Sequence, residues 1–295
     1  MSLTVLVTGA TGFLGSHLVK AFLDQGYRVI ILKRSFSSTS RIDDVLARCV
    51  VYNIDQCELS EPFNDFQKIH AIVHTATCYG RRNETTSQIV ESNVLFPLQL
   101  LELATCNTDI FFNTDTSLSG YLNSYSLSKK HFLDWGKQFS ASKKIKFVNL
   151  GLEHIFGPGD DESKFVTYVI KNCLRNATQL NLTKGEQLRD FIYVDDVVAV
   201  YQLLLSTIWD LPDYYQAYSV GSGNAITVRQ LVMLIHCLTN SRTELNFGAV
   251  PYRDGEIMLS QADLDPLKKL GYLPSLSLEE SLQKTIELEK LTEFN

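Results

Sequence analysis

The sequence lacks the features that mark membrane and exported proteins. None of its apolar runs approaches the roughly 18 residues that a transmembrane helix needs, so we expect no membrane span and no membrane partner. The N-terminus carries no basic segment, and a glycine turn interrupts its apolar run, which predicts a β-strand rather than a signal peptide. A cytoplasmic location is therefore the default expectation.

Patterns typical of metal-binding and nucleic-acid-binding proteins are missing as well. None of the six cysteines forms a Cys-x-x-Cys pair, so we expect reduced, mostly structural thiols and no bound metal. The formal net charge is −6, and the basic clusters Lys33-Arg34 and Arg81-Arg82 are short. This balance argues against nucleic acid as a partner.

The chain does have the length and apolar content for a large core. It has 295 residues, of which 45% are hydrophobic and 20% charged, so we expect an ordered chain. In its first half, short apolar runs alternate with helical patterns. We predict strands at 4–8, 28–32, 49–52, 71–74, 109–113 and 146–150, and helices at 13–25, 87–104 and 125–140. The alternation indicates an α/β fold with a doubly wound parallel sheet of the Rossmann type.

The second half loses this alternation after a break at 157–160. Helices are predicted there at 164–176, 195–207, 228–239 and 278–293, with a short strand at 218–221. We expect a smaller C-terminal substrate lobe that is built mainly from the discontinuous segments 151–187 and 223–295. The segments 1–150 and 188–222 would then form a dinucleotide-binding domain, with ligands at the carboxyl ends of its strands.

A glycine-rich turn joins the first strand to the first helix. Its glycines are Gly9, Gly12 and Gly15, in the spacing Gly-x-x-Gly-x-x-Gly, and Thr11, Phe13 and Leu14 lie between them. Glycine permits a tight turn and a close approach of backbone to a pyrophosphate, and the helix start offers unpaired N–H groups. Strand–helix turns use glycine for purely structural reasons too, but this position favours dinucleotide binding by these six residues.

Two cations and a hydroxyl follow the second strand, as Lys33, Arg34 and Ser35. A carboxylate there would bind the ribose hydroxyls of NADH. Cations suit a 2′-phosphate instead, so the sequence favours NADPH. The structural alternative is a solvated pair of surface charges.

A tyrosine and a lysine at positions i and i+4, Tyr125 and Lys129, share one face of a predicted helix. A nearby ammonium and an oxidised nicotinamide would lower the pKa of the tyrosine and prepare it for proton transfer. The structural alternative is an exposed helix pair worth about 0.2–0.5 kcal/mol. Thr114, near the end of the preceding strand, is a candidate to hydrogen-bond a substrate carbonyl or the tyrosine.

Other short motifs occur in a characteristic order along the chain. They are Asp55, His74-Thr75-Ala76, Asn93, Phe156-Gly157-Pro158-Gly159, Arg189-Asp190-Phe191-Ile192-Tyr193-Val194-Asp195-Asp196 and Pro251-Tyr252-Arg253-Asp254-Gly255-Glu256. With the glycine turn, Thr114, Tyr125 and Lys129, they resemble the extended short-chain dehydrogenase/reductases of the nucleotide-sugar epimerase, dehydratase and reductase kind. The resemblance covers nearly the whole chain.

The resemblance implies roles for individual residues. Tyr125 would be the general acid/base, Lys129 would bind the nicotinamide ribose and tune Tyr125, and Thr114 would be the hydroxyl partner. Because only 11 positions separate Thr114 from Tyr125, fewer than is usual in the family, Thr116 and Ser117 stay open as alternatives. The implied cofactor contacts further include Asp55, Gln56, Thr75, Ala76 and Asn93. The implied substrate contacts are Arg189, Arg253 and Glu256, with His154 lining the site or serving the structure.

The resemblance also bears on the reaction. Thr116 stands where dehydratases usually carry Glu, which disfavours water elimination, and the Lys33-Arg34 pair favours exchangeable NADPH and net reduction. The segments 113–116 and 125–130 are similar to the CDP-abequose synthases, which reduce the 4-keto group of a CDP-linked 3,6-dideoxyhexose for O-antigen (lipopolysaccharide) synthesis. A nucleotide-sugar 4-epimerase and a non-catalytic dinucleotide sensor stay open. The nucleotide is undetermined, and a homodimer formed through helices 87–104 and 125–140 would be typical.

Overall fold

The computed structural model describes residues 2–207, 209 and 213–293. The chain divides into two compact units. The first unit comprises Met1–Leu152 and Val198–Tyr218, and the second comprises Glu153–Val197 and Ser219–Asn295. The sequence-based division instead groups 188–222 with the first segment. The predicted assignment of the dinucleotide to one unit and the substrate to the other stays a prediction.

The first unit is built on a seven-stranded sheet with the strand order β10-β6-β5-β4-β1-β2-β3. Its strands are β1 (Thr4–Thr8), β2 (Arg28–Lys33), β3 (Val50–Asn53), β4 (Ile69–His74), β5 (Thr108–Thr116), β6 (Lys146–Leu152) and β10 (Tyr215–Val220), of which β10 counts with this unit up to Tyr218. β1 pairs in parallel with both β2 and β4, and every residue of β1 is buried. A strand buried on both faces explains its continuous apolar sequence.

Helices flank this sheet. They are α1 (Phe13–Asp24), α2 (Glu61–Asp65), α3 (Thr86–Val90), α4 (Phe96–Ala104), α5 (Ser124–Ala141) and α7 (Val194–Thr207), of which α7 counts with this unit from Val198. A π-helical segment, Glu91–Leu95, joins α3 to α4, and a short 3₁₀ helix spans Leu46–Arg48. Within the core, the rings of Phe111 and Phe147 stack with centroids 5.7 Å apart. A Cβ at Gly136 of α5 would collide with Phe147, so glycine lets the helix pack closely against the sheet.

The second unit contains smaller sheets. In one, β9 (Leu188–Tyr193) lies between β11 (Ala225–Thr227) and β13 (Leu259–Ser260) and also pairs with β7 (His154–Phe156). In the other, β8 (Gln179–Leu182) pairs in parallel with β12 (Glu244–Phe247). The helices of this unit are α6 (Phe165–Leu174), α8 (Val228–Leu238), α9 (Asp265–Lys269) and α10 (Leu278–Glu293).

The predicted fold class is confirmed: the first unit is a Rossmann-type α/β sheet, and a second, smaller unit is assembled from discontinuous segments. β9 and the short strands of the second unit were not predicted from the sequence. The predicted helix at 87–104 is not continuous, because the π-helical segment interrupts it. None of the helices in the described part of the chain is long and apolar enough to cross a membrane.

Candidate active site

The glycine turn follows β1 and is tightly packed. Gly9 has a φ of +69°, and a Cβ there would lie 2.6 Å from the backbone nitrogen of Ala76. A Cβ at Gly15 would collide with the carbonyl oxygen of Gly9, which also accepts a 2.9 Å hydrogen bond from the Gly12 N–H. Both Gly9 and Gly15 are therefore required by the turn itself.

Helix α1 begins without a capping side chain. Its N-cap, Gly12, supplies no side-chain hydrogen bond, and the first turn holds no acidic residue. The N–H groups at the helix start keep their hydrogen-bonding capacity, and the helix dipole is positive there. Thr11, Phe13 and Leu14 are partly exposed around this helix start. The turn thus fits a dinucleotide pyrophosphate by its own geometry.

The residues that are predicted to contact the ribose and adenine of the dinucleotide lie close together at the ends of β2 and β3. Ser35 donates hydrogen bonds to Asp55 from its N–H (2.7 Å) and its hydroxyl (2.5 Å), and these bonds lower the pKa of Asp55. Lys33 adds to that lowering by its charge, while Arg34 is exposed with its guanidinium 4.8 Å from the ring centroid of Phe36. Two cations and one ionised carboxylate therefore lie at this corner. Gln56 accepts a 3.2 Å hydrogen bond from Asn53.

Residues at the end of β4 serve mainly to join elements. The Thr75 hydroxyl donates to the carbonyl of Thr8 (2.8 Å), and the Ala76 N–H donates to the Thr8 hydroxyl (3.3 Å). Asn93, fully buried in the π-helical segment, accepts from the Cys78 N–H (2.7 Å) and donates to the Cys78 carbonyl (2.8 Å) and the Ser128 hydroxyl (3.0 Å). Its side chain thus connects the loop after β4 to α5.

Helix α5 carries Tyr125 and Lys129 on one face, as the i, i+4 spacing predicts. Asn123 caps the helix: its side chain accepts from the Ser126 N–H, and the Ser126 hydroxyl accepts from the Asn123 N–H. Tyr125 lies in the first turn, with its ring 5.0 Å from that of Tyr79, and Lys129 is 2% exposed. The capping box fixes where the helix begins and hence where both side chains project.

The pKa of Tyr125 is raised, opposite to the direction that the sequence predicts. Burial is the main cause, and electrostatic interactions with Tyr79 and Asp115 add to it, while the Thr116 side chain and the charge of Arg81 oppose it. The protonated phenol is the form that donates a proton, but a raised pKa makes it a weaker acid, so the transfer requires a neighbouring charge that stabilises the phenolate. Burial also lowers the pKa of Lys129 to about 8, against the opposing charge of Asp115.

The candidate hydroxyls near the end of β5 have different partners. The Thr114 hydroxyl lies 2.5 Å from the hydroxyl of Tyr201, a fully buried core residue. The Thr116 hydroxyl accepts a hydrogen bond from the N–H of Leu118 (3.2 Å) and is close enough to Tyr125 to lower the pKa of its phenol. Ser117 is exposed. Thr116, the alternative to Thr114, is therefore the threonine that neighbours Tyr125.

In the second unit, Arg189 and Glu256 form an ion pair. The Arg189 guanidinium also donates to the carbonyl of Leu188 (2.8 Å), and its side chain is only 10% exposed. Arg253 is exposed on its loop. His154 is partly exposed, with Nδ1 3.7 Å from Glu153 and its ring 5.6 Å from that of Phe191.

The acidic residues of the 189–196 motif have structural partners. Asp190, fully buried, accepts hydrogen bonds from the N–H and hydroxyl of Ser222 and from the N–H groups of Gly223 and Ala262. Asp196 accepts from the N–H and hydroxyl of Ser275. Groups of three or more side chains able to hold a metal ion are absent from the described residues.

Comparison with known proteins places these features in context. The profile of the NAD dependent epimerase/dehydratase family matches residues 5–221. The chain is 35% identical to a CDP-abequose synthase of Salmonella muenchen, over 97% of this chain and 98% of that protein. In fold, it is similar to a UDP-glucose 4-epimerase of Thermotoga maritima (TM-score 0.86, 24% identity, 99% and 100% of the chains covered). It is also similar to a UDP-glucuronic acid 4-epimerase of Bacillus cereus (TM-score 0.85, 23% identity, 98% and 100% covered).

Proposed function

This chain belongs to the NAD dependent epimerase/dehydratase family and is an NAD(P)-dependent enzyme acting on a nucleotide sugar; from that premise we propose that it reduces the 4-keto group of a nucleotide-linked deoxyhexose with NADPH. The observation that carries the proposal is the placement of Tyr125 in the first turn of α5, next to Thr116 and one helical turn from the buried Lys129. The full-length similarity to a CDP-abequose synthase supports a CDP-linked 4-keto-3,6-dideoxyhexose as substrate.

The proposed chemistry adds one hydride and one proton across the C4 carbonyl. NADPH, when bound, supplies the hydride to C4. Tyr125 donates its proton to O4, and Thr116 holds the phenol in place and hydrogen-bonds the developing hydroxyl. The Lys129 ammonium stabilises the phenolate that Tyr125 becomes and binds the ribose hydroxyls of the dinucleotide.

We assign the 2′-phosphate of NADPH to Lys33 and Arg34. Lys33 is the last residue of β2 and Arg34 follows it, and Ser35 supports this corner through its bonds to Asp55. The pyrophosphate would lie at the uncapped start of α1. In the second unit, the exposed Arg253 is proposed to bind the substrate diphosphate. Arg189, which Glu256 orients through an ion pair, is proposed as a second substrate contact, and His154 is proposed to line the sugar site.

An NADPH-oxidation assay against CDP-, dTDP-, GDP- and UDP-linked 4-keto sugars tests the proposal. We expect the fastest turnover with a CDP-linked 4-keto-3,6-dideoxyhexose and a higher kcat/KM with NADPH than with NADH. Tyr125→Phe should remove most of the turnover and keep NADPH binding. Equal or better turnover with NADH would contradict the cofactor assignment.

Two other outcomes would replace the proposed reaction. Purified protein that carries oxidised NAD and interconverts C4 epimers without added NADPH would be an epimerase. Dinucleotide binding without turnover of any sugar in the panel would indicate a sensor.

A further inference from the structure

Asp115 is a buried carboxylate near the end of β5. Its side chain is 1% exposed, and one oxygen accepts hydrogen bonds from the Lys130 ammonium (3.0 Å) and the Asn149 amide (3.1 Å). The other oxygen accepts from the N–H of Thr116 (2.8 Å). Buried polar groups need such partners, so this arrangement holds the Asp115 carboxyl group in a fixed orientation.

Lys130 contacts the same short segment a second time. Its ammonium also donates to the carbonyl oxygen of Thr116 (2.8 Å). The Thr116 backbone is therefore held at both ends, at its N–H by Asp115 and at its carbonyl by Lys130. Gly120 makes room for the lysine, because a Cβ there would lie 3.0 Å from Cγ of Lys130.

The structure assigns to Lys130 a positioning role: through Asp115 and the Thr116 carbonyl, it fixes the Thr116 backbone and thereby places the Thr116 side chain next to Tyr125. The inference rests on the proposed function, in which the phenol of Tyr125 donates the proton. The Asp115 carboxyl group is occupied by the three hydrogen bonds that it accepts, so it serves this positioning and not the proton transfer.

The same pair sets the charge around Lys129. Lys129 interacts electrostatically with three neighbours. They are Asp115 on β5, Lys130 on the same helix and His74 on β4. Burial keeps His74 neutral by lowering its pKa, so Asp115 and Lys130 are the two charges that act on Lys129. Removing the Lys130 charge leaves Asp115 unopposed, and Lys129 then keeps its proton to higher pH.

Lys130→Met tests the role, with Lys137→Met as the matched control on the exposed face of α5, where Lys137 pairs with Asp134. We expect Lys130→Met to lower kcat by about 10²-fold, the loss typical of a small misplacement of a catalytic group, with KM for NADPH unchanged. In a plot of kcat against pH, the alkaline limb of this variant should move to higher pH. Lys130→Arg should restore most of kcat, and Lys137→Met should match the wild type.

The double variant Asp115→Asn/Lys130→Met addresses folding. It replaces the Asp115 carboxylate, which Lys130→Met leaves buried without its ion-pair partner. The double variant should therefore unfold at a higher temperature than Lys130→Met and still have a low kcat. A wild-type kcat and pH profile in Lys130→Met, or a double variant that regains both stability and kcat, would overturn the positioning role. A wild type that turns over no sugar would refute the proposed function alone. The melting temperatures then still test the Lys130–Asp115 ion pair. A double variant that is no more stable than Lys130→Met would overturn the role given to that ion pair.

Discussion

The two threonines near the end of β5 differ in what their hydroxyls contact. Thr116 neighbours Tyr125, whereas the Thr114 hydroxyl bonds to that of Tyr201 in the core. Thr116→Val should lower kcat by about 10²-fold, as loss of one transition-state hydrogen bond does. Thr114→Val should mainly lower the free energy of unfolding, by about 1 kcal/mol. Steady-state kinetics and urea unfolding of both variants check this, and a larger loss of kcat in Thr114→Val would reverse the assignment.

Lys129 gives the first unit a defined dependence of stability on pH. Its pKa in the folded chain, about 8, lies below the ordinary value of 10.5. Between these values the unfolded chain binds a proton that the folded chain releases, so this group's contribution to stability rises with pH there. Below pH 8 both states are charged, and the cost of burying the ammonium is fully present.

Lys129→Met should therefore unfold at a higher temperature than the wild type at pH 7, and the difference should shrink toward pH 10.5. Its turnover should fall because the phenolate loses its stabilising charge. Thermal unfolding from pH 7 to 10.5 measures the first effect, and NADPH oxidation the second. The exposed Lys137→Met serves as the control, and a constant difference across the pH range would count against burial as the cause.

At the scale of elements, the glycine turn combines backbone packing with ligand binding. Gly15→Ala should destabilise the fold by about 1–3 kcal/mol, because its methyl group meets the Gly9 carbonyl, and should weaken NADPH binding. Gly26→Ala is a suitable control, since Gly26 has a φ of +77° and open space around it. It should lose stability through strain alone. Calorimetric titration with NADPH separates the two variants, and equal affinities would argue against the turn as the phosphate site.

The elements that could be predicted from the sequence are those with a strong local pattern. β1 was predicted to the residue, and α5 within one residue at each end, because buried apolar runs and helical spacing act over short distances. β9 was missed because Arg189 and Asp190 interrupt its apolar pattern. Asp190 is buried only because Ser222, Gly223 and Ala262 supply its hydrogen bonds from distant segments.

The same distinction separates the predictable part of the site from the rest. The shared face of Tyr125 and Lys129 follows from i, i+4 geometry. The different partners of Thr114 and Thr116 do not, since Tyr201 lies 87 positions from Thr114 in the chain. The Lys130–Asp115 pair likewise has no short-range sequence signal, because it depends on how α5 packs against β5.

At the scale of the whole molecule, the first unit exposes apolar side chains on the π-helical segment and its neighbours. Val90, Leu95, Leu127 and Trp135 are 40%, 48%, 39% and 45% exposed. Burying such a surface between two copies is favourable, and it agrees with the homodimer that the family resemblance implies.

We therefore expect light scattering to give twice the mass of one chain. Leu95→Glu should shift the protein toward monomer, because it places a charge in the interface, whereas Leu291→Glu, at a 60% exposed position on α10, should not. A wild type that stays monomeric at micromolar concentration, or equal behaviour of the two variants, would place the interface elsewhere or exclude it.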